Sequence, residues 1–267
     1  YGRGYVMGFF EERDGSLVFR ENGETVMITP WGADSLRVRS AILGDISSYS
    51  AALLEVPPVN AEINIQETSA SIRNGNITAE LTVQPWGNAL QTRFINQRGE
   101  CLLSEIPNGG ALTLKARHFT PLNGESYKIK ASFISERKEK IYGMGQYQQE
   151  IMDLKGCNLE LAHRNSQASI PFYISSLGYG FLWNNASIGE VHFGLNTTEW
   201  IANSSKQLDY WITAGDTPAQ IEEAYAGVTG KVPMMPEYGL GFWQCKLRYY
   251  NQEQVLNIAR EYKKRNI

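Results

Sequence analysis

Enzyme acid–base and metal chemistry rests largely on histidine, cysteine and carboxylate side chains, and here the histidines and cysteines are few and scattered. The only three histidines are His118, His163 and His192, and they form neither an HxH nor an HExxH pattern. The three cysteines, Cys101, Cys157 and Cys245, form no CxxC pair. This odd set fits neither a disulfide framework nor a zinc site and reads as buried or half-buried free thiols in a reducing compartment. Six tryptophans, Trp31, Trp86, Trp183, Trp200, Trp211 and Trp243, could stack on the C–H face of a sugar ring, but such residues more often fill strand cores. Asn-x-Ser/Thr sequons start at Asn76, Asn185, Asn196 and Asn203, and they acquire meaning only in a secreted eukaryotic protein.

The chain that must position these residues has 267 of them, 42% hydrophobic and 20% charged. That composition is globular and long enough for one or two domains. The net charge is −3 with no long run of one sign, which argues against a nucleic-acid partner, since binding needs a basic surface to displace phosphate counterions. No apolar stretch approaches the ~20 residues of a membrane-spanning helix. No signal peptide is visible; the first residue is Tyr1 rather than Met, so a processed leader stays open.

From the N-terminus to about Lys231 the apolar period is two. Leu36 and Val38 alternate with Arg37 and Arg39, and Leu112, Leu114 and Ala116 alternate with Thr113, Lys115 and Arg117. Tyr127, Ile129, Ala131 and Phe133 repeat the pattern, as do Leu208, Tyr210 and Ile212. Ile72 and Ile77 bracket Asn74-Gly75, a hairpin signal because both positions tolerate positive φ. Many short alternating strands predict a large antiparallel β-sandwich. One helix follows: Thr217 as N-cap, Pro218 at the first position, Ile221, Ala224, Tyr225 and Val228 on one face, and Gly230 as the stop.

Val232-Pro233-Met234-Met235-Pro236 reads as a linker, and the pattern then changes. Leu240-Gly241-Phe242-Trp243 suggests a buried parallel strand. Asn251 suggests an N-cap with Gln254 as its capping-box partner, and Val255, Ile258, Ala259 and Tyr262 follow at helical spacing. A lone βα unit cannot hide its apolar face, so we expect a sandwich over residues 1–231 and, over 232–267, the opening of a second domain in a longer polypeptide. The alternative is a helix packed back on the sandwich.

Several stretches resemble glycoside hydrolase family 31, the α-glucosidase and α-xylosidase family. They are Trp31-Gly32-Ala33-Asp34-Ser35-Leu36-Arg37-Val38-Arg39, Tyr142-Gly143-Met144-Gly145-Gln146, the pair Ile170-Pro171-Phe172 and Gly178-Tyr179-Gly180-Phe181-Leu182-Trp183-Asn184-Asn185, and Gly239-Leu240-Gly241-Phe242-Trp243-Gln244. In order along the chain, they are similar to the family's early strand, its Y-G-L-G turn, its strand pair and its first barrel strand. Gln146, Gln148, Gln149 and Lys155-Gly156-Cys157 look closest to the bacterial α-xylosidase-like branch.

The resemblance implies a galactose-mutarotase-like antiparallel β-sandwich followed by the start of a (β/α)8 TIM barrel. It also implies retaining hydrolysis of terminal α-xylosidic or α-glucosidic bonds by two aspartates on later barrel strands, which needs no cofactor. No acidic residue here matches either motif; Asp153, Asp209, Asp216 and Glu237 are poor candidates, and we assign no catalytic residue. In the family a sandwich loop carrying Arg-Asp reaches the sugar. The matching place reads His163-Arg164-Asn165-Ser166, so Arg164 and Asn165 are candidate substrate contacts, with a neutral amide that can donate as well as accept. Lys246, Arg248 and Tyr249, at the end of the first barrel strand, are the others. A side wall there would help separate xylose from glucose, although one hydroxymethyl group is worth only ~1–3 kcal/mol. Cys245 beside them reads as a small packed thiol.

The expected partners are an α-linked oligosaccharide and the remainder of the chain's own barrel, with self-association left open and a bacterial cytoplasm or periplasm as the expected compartment. A competing function is a non-catalytic β-sandwich that binds carbohydrate or protein. A mutarotase-like epimerase is a third, and scattered histidines count against it.

Overall fold

The computed structural model describes residues 9–85, 89–107 and 115–267. The chain divides into two compact units, Tyr1–Lys231 and Val232–Ile267.

The first unit is built from β1 (Phe10–Arg13), β2 (Ser16–Glu21), β3 (Glu24–Pro30), β4 (Ser35–Ile42), β5 (Glu62–Ile65), β6 (Ser69–Asn74), β7 (Ile77–Val83), β8 (Leu90–Asn96) and β9 (Cys101–Ser104). It continues through β10 (Arg117–Pro121), β11 (Tyr127–Ile134), β12 (Ile141–Gln146), β13 (Asn158–Leu161), β14 (Ala168–Ser175), β15 (Tyr179–Trp183), β16 (Gly189–Phe193), β17 (Thr197–Ser205), β18 (Leu208–Ala214) and helix α1 (Pro218–Thr229). An eight-stranded sheet runs β1-β2-β3-β4-β18-β15-β14-β12, with five-stranded sheets β10-β11-β17-β16-β13 and β5-β6-β7-β8-β9. A bridge from Glu105 to Phe133 links the two smaller sheets. All named pairings are antiparallel, and one core cluster draws side chains from all three sheets.

Alternation explains the layers. β7 buries Ile77, Ala79, Leu81 and Val83, while Thr78, Glu80 and Thr82 are at least partly exposed. β4 and β18 depart from it, since both of their faces are covered. Leu36, Val38, Tyr210 and Ile212 face the main core, while Trp211 joins Leu53, Leu182, Ile221 and Val228 in a second cluster under α1. Arg37 and Arg39 lie under the 45–56 segment and are buried rather than solvated: Arg37 Nη2 donates to Asp209 Oδ2 at 2.6 Å and to the Tyr49 carbonyl at 2.8 Å. Its guanidinium also lies 4.6 Å from the Trp31 ring centre.

A second charged group ties the three sheets together. Arg117 on β10 sits 2.6 Å from Glu24 on β3 and 2.5 Å from Glu105 beside β9. Burial pulls its affinity for the proton down, but Glu105 and Glu24 outweigh that and raise its pKa. For Glu24 burial pushes up, and Arg117 more than offsets it, leaving the carboxyl lowered.

Three local expectations change. The β6–β7 turn is Gly75-Asn76, since Asn74 pairs with Ile77; only Gly75 is left-handed, at φ 58°, and Asn74 stays in the strand to donate to the Gly32 and Ser35 carbonyls. Of the Leu112–Arg117 alternation, residues 108–114 lie outside the described residues, as does Trp86, and the described strand starts at Arg117. The thiols are less buried than their residue type suggests: Cys157 is half-buried, while Cys101, at the start of an edge strand, and Cys245, in irregular chain, are exposed.

α1 carries the full capping box, with Thr217 accepting from the Gln220 amide and the Gln220 side chain accepting from the Thr217 amide. Gly230 at φ 110° closes it. In the second unit, Leu240–Trp243 is not a strand. Glu237–Leu240 forms a 3-10 turn, and irregular chain leads to α2 (Gln252–Lys264). A parallel strand needs a hydrogen-bonded neighbour, and among the described residues this unit offers none. Asn251 caps α2 by accepting from the Gln254 amide, but the Gln254 side chain accepts from Tyr250 rather than closing the box.

Candidate functional site

The loop singled out by its His-Arg-Asn-Ser sequence crosses between layers. It leaves β13, which belongs to a five-stranded sheet, and enters β14, which belongs to the eight-stranded one. β12, which precedes β13 and pairs with β14, is an edge strand with a register shift at Gly143–Gly145. Gly143, Met144 and Gly145 all have positive φ, at 122°, 70° and 87°. A side chain at 145 would place its Cβ 2.3 Å from the Ala168 carbonyl oxygen, so glycine there lets the edge strand bend against the root of β14.

The loop is tied at several points. Arg164 and Gln167 exchange backbone hydrogen bonds at 3.2 Å, leaving Asn165-Ser166 as a two-residue tip. The Gln167 side chain donates to the Ala162 carbonyl at 3.0 Å, and the Ser169 amide donates to His163 Nδ1 at 3.3 Å. Tyr147 donates its hydroxyl to the Glu160 carbonyl at 2.8 Å and lies 2.8 Å from Ser169 Oγ. Burial pushes the Tyr147 phenol up, partly offset by Ser169.

Within this frame the two candidates separate. Arg164 folds back on Glu160, with Nε 2.9 Å from Oε2 and Nη2 2.6 Å from Oε1. Those hydrogen bonds raise its pKa further, and its charge is already matched. Asn165 stands exposed at the tip. Arg164 is thus held by Glu160, while the Asn165 side chain is exposed. Sequence reasoning missed Glu160, Tyr147 and Gln167; a salt bridge or hydroxyl tether across an irregular loop has no fixed spacing to betray it.

The other candidates lie in the second unit and are considered by themselves. Lys246 and Arg248 are exposed, and neither has an ion-pair partner among the described residues. The Tyr249 hydroxyl lies 3.4 Å from Gln244 Nε2, and Gln244 Oε1 accepts from Tyr262. With no strand at 240–243, these residues are not yet set in the alternating order that would aim some of them inward.

The acidic residues are occupied structurally. Asp153 accepts from the Ile141 and Lys155 amides, Asp209 is the buried partner of Arg37, and Asp216 pairs with Arg98 at 2.6 Å. The Arg98 hydrogen bond holds the Asp216 carboxyl below its usual range. Glu237 opens the 3-10 turn. Among the described residues no three His, Cys, Asp or Glu side chains are grouped to hold a metal.

Residues 25–191 match the family model of the glycosyl hydrolase 31 N-terminal galactose mutarotase-like domain, and residues 232–267 match that of the family 31 TIM-barrel domain. The chain is 44% identical over 273 residues to an uncharacterized family 31 glucosidase of Pseudescherichia vulneris, covering 96% of this chain and 51% of that protein. It is 29% identical to α-xylosidase A of Aspergillus niger, covering 97% and 38%. Among solved structures it matches a GH31 α-xylosidase from a soil metagenome complexed with xylose, at TM-score 0.86 and 45% identity over 97% of this chain and 40% of that one. The chain thus spans about half the length, or less, of the curated relatives it matches. With the sandwich matched over 25–191 and the barrel opening over 232–267, the chain belongs to glycosyl hydrolase family 31.

Proposed function

We propose that this chain is the N-terminal part of a retaining α-glycosidase that removes terminal α-xylosyl or α-glucosyl residues. The observation that carries the reading is the 45% identity, across 97% of the chain, to an α-xylosidase structure that holds xylose. Retention requires two carboxyl groups about 5–5.5 Å apart across the scissile bond. Asp153, Asp209 and Asp216 are tied into the fold, and the resemblance to the family assigns the catalytic pair to later barrel strands. This segment supplies substrate contact instead. Asn165, on a tip braced by the Glu160–Arg164 pair and by Tyr147, would hydrogen-bond a sugar hydroxyl as donor or acceptor. Lys246, Arg248 and Tyr249 are assigned as further substrate contacts in the completed barrel, where a side wall would help to admit or exclude a hydroxymethyl group.

The test uses a longer protein that carries this chain with an intact barrel, assayed on 4-nitrophenyl α-D-xyloside and α-D-glucoside. Release of nitrophenol from at least one supports the proposal. Failure on every aryl α-glycoside and oligosaccharide tried removes it.

A further inference from the structure

Beside α1 lies a cleft of about 680 Å³, within the range of about 300–1,000 Å³ usual for small-ligand sites. It lies within the sandwich unit, far in sequence from the Asn165 loop. Val56, Pro57 and Val59 supply apolar wall. Its polar lining is Asp34, Asn74, Asn76, Gln97, Asp216, Gln220 and Glu223, and among the described residues no lysine or arginine lines it.

Two observations set this cleft apart from ordinary surface relief. The first is Gly227, which lines it from within α1. Glycine inside a helix costs about 1 kcal/mol relative to alanine. At 227 nothing in the fold asks for that sacrifice: its φ is not left-handed, and an added Cβ would meet no atom within 4 Å. Gly32, Gly75 and Gly215, which also line the cleft, differ, because a Cβ there would strike Val228, Asp34 and Ile221. Gly227 is exposed, and the space in front of it is open to the cleft.

The second is the state of the polar lining. The Gln220 side-chain carbonyl is used by the Asp216 and Thr217 amides, and its NH2 group has no protein partner. The side chains of Asn76 and Glu223 have none either among the described residues. Asp34 Oδ1 is taken by the Asn76 amide, and Asp216 is taken by Arg98. The free groups are therefore amide donors and acceptors and a carboxylate, set against apolar wall. That mixture suits vicinal hydroxyls and a C–H face, and the absence of a lining cation disfavours anions.

We propose that this cleft is a second, non-catalytic binding site for a neutral oligosaccharide. It does not depend on the barrel or on the Asn165 loop.

The experiment is an amide-resolved NMR titration of the 267-residue chain with maltotriose, with trigalacturonate as the anionic control. The expected result is saturable shifts at Gly75, Asn76, Gly215, Asp216 and Gly227, and none with trigalacturonate. Gly227→Phe directs a ring into the open volume and should abolish those shifts without lowering the thermal midpoint. Glu223→Ala, at an exposed position, should weaken binding several-fold. Shifts confined to residues 162–167 would overturn the proposal, although they would favour the Asn165 reading. No shifts at all, equal shifts with trigalacturonate, or a Gly227→Phe variant that binds undiminished would overturn it too. If the cleft instead seats another polypeptide segment, maltotriose shifts nothing there.

Discussion

Replacing Arg117 by methionine should destabilise the sandwich strongly. The side chain is 3% exposed and touches two carboxylates that are themselves buried, at 2.6 Å and 2.5 Å. Methionine fills similar volume, so the loss is chiefly electrostatic: Glu24 and Glu105 both lose the buried guanidinium that pairs them. Removing one partner of a buried ion pair costs about 3–5 kcal/mol. At 2–4 °C per kcal/mol for a domain of this size, the thermal midpoint should fall by roughly 6–20 °C. Urea unfolding followed by tryptophan emission suits the assay, because Trp183, Trp200 and Trp211 are buried in this unit. The pH dependence adds a sign. In the native protein Glu24 has a lowered pKa, so its contribution is present above the unfolded carboxylate range and is lost as pH falls through the folded value. In the variant, burial without Arg117 pushes that carboxyl up, so the deficit should narrow between pH 7 and pH 5. A loss below about 1 kcal/mol, as for exposed pairs, would refute the reasoning. A deficit that widens on acidification would refute it too. The exposed Arg98–Asp216 pair is the control, and Arg98→Met should move the midpoint little.

Gly75→Ala should destabilise by at least about 1–2 kcal/mol, since alanine at φ 58° is strained and its Cβ would approach Asp34 Oδ1 to 2.1 Å; an unchanged denaturant midpoint would contradict this. In a longer protein that carries this chain with an intact barrel, the proposed sugar contact predicts that Asn165→Ala lowers kcat/KM by roughly 2–13-fold, the equivalent of one neutral hydrogen bond of about 0.5–1.5 kcal/mol, with the thermal midpoint unchanged. Equal kinetics would remove Asn165 from the sugar contact.

Much of this fold was readable because its local rules are strong. The alternation of Tyr127, Ile129, Ala131 and Phe133 marks β11, with its inner face in the main core. Thr217-Pro218 and Gly230 bound α1 as their types imply. The division into an eight-stranded and two five-stranded sheets was not readable, since pairing across 170 residues, such as Arg39 with Asp209, leaves no local trace. Nor were the buried arginines. Arg37 and Arg39 occupy alternating polar positions that normally face water, and only the return of residues 45–56 over the sheet buries them. Leu240–Trp243 shows the reverse, an apolar run with strand character and no neighbour among the described residues to pair with. At the loop, the family resemblance pointed to Arg164 and Asn165, but the partner that occupies Arg164 came from the fold. The Gly227 cleft was invisible, because a helical glycine acquires meaning only once the space beside it is known.

The central claim is retaining α-glycoside hydrolysis by the protein to which this sandwich belongs. The most direct test is 1H NMR of the first sugar released when that protein, with its barrel complete, acts on 4-nitrophenyl α-D-xyloside. The account predicts that the α-anomer appears first and mutarotates later. Initial release of the β-anomer, or no hydrolysis of either the xyloside or the glucoside, would contradict it.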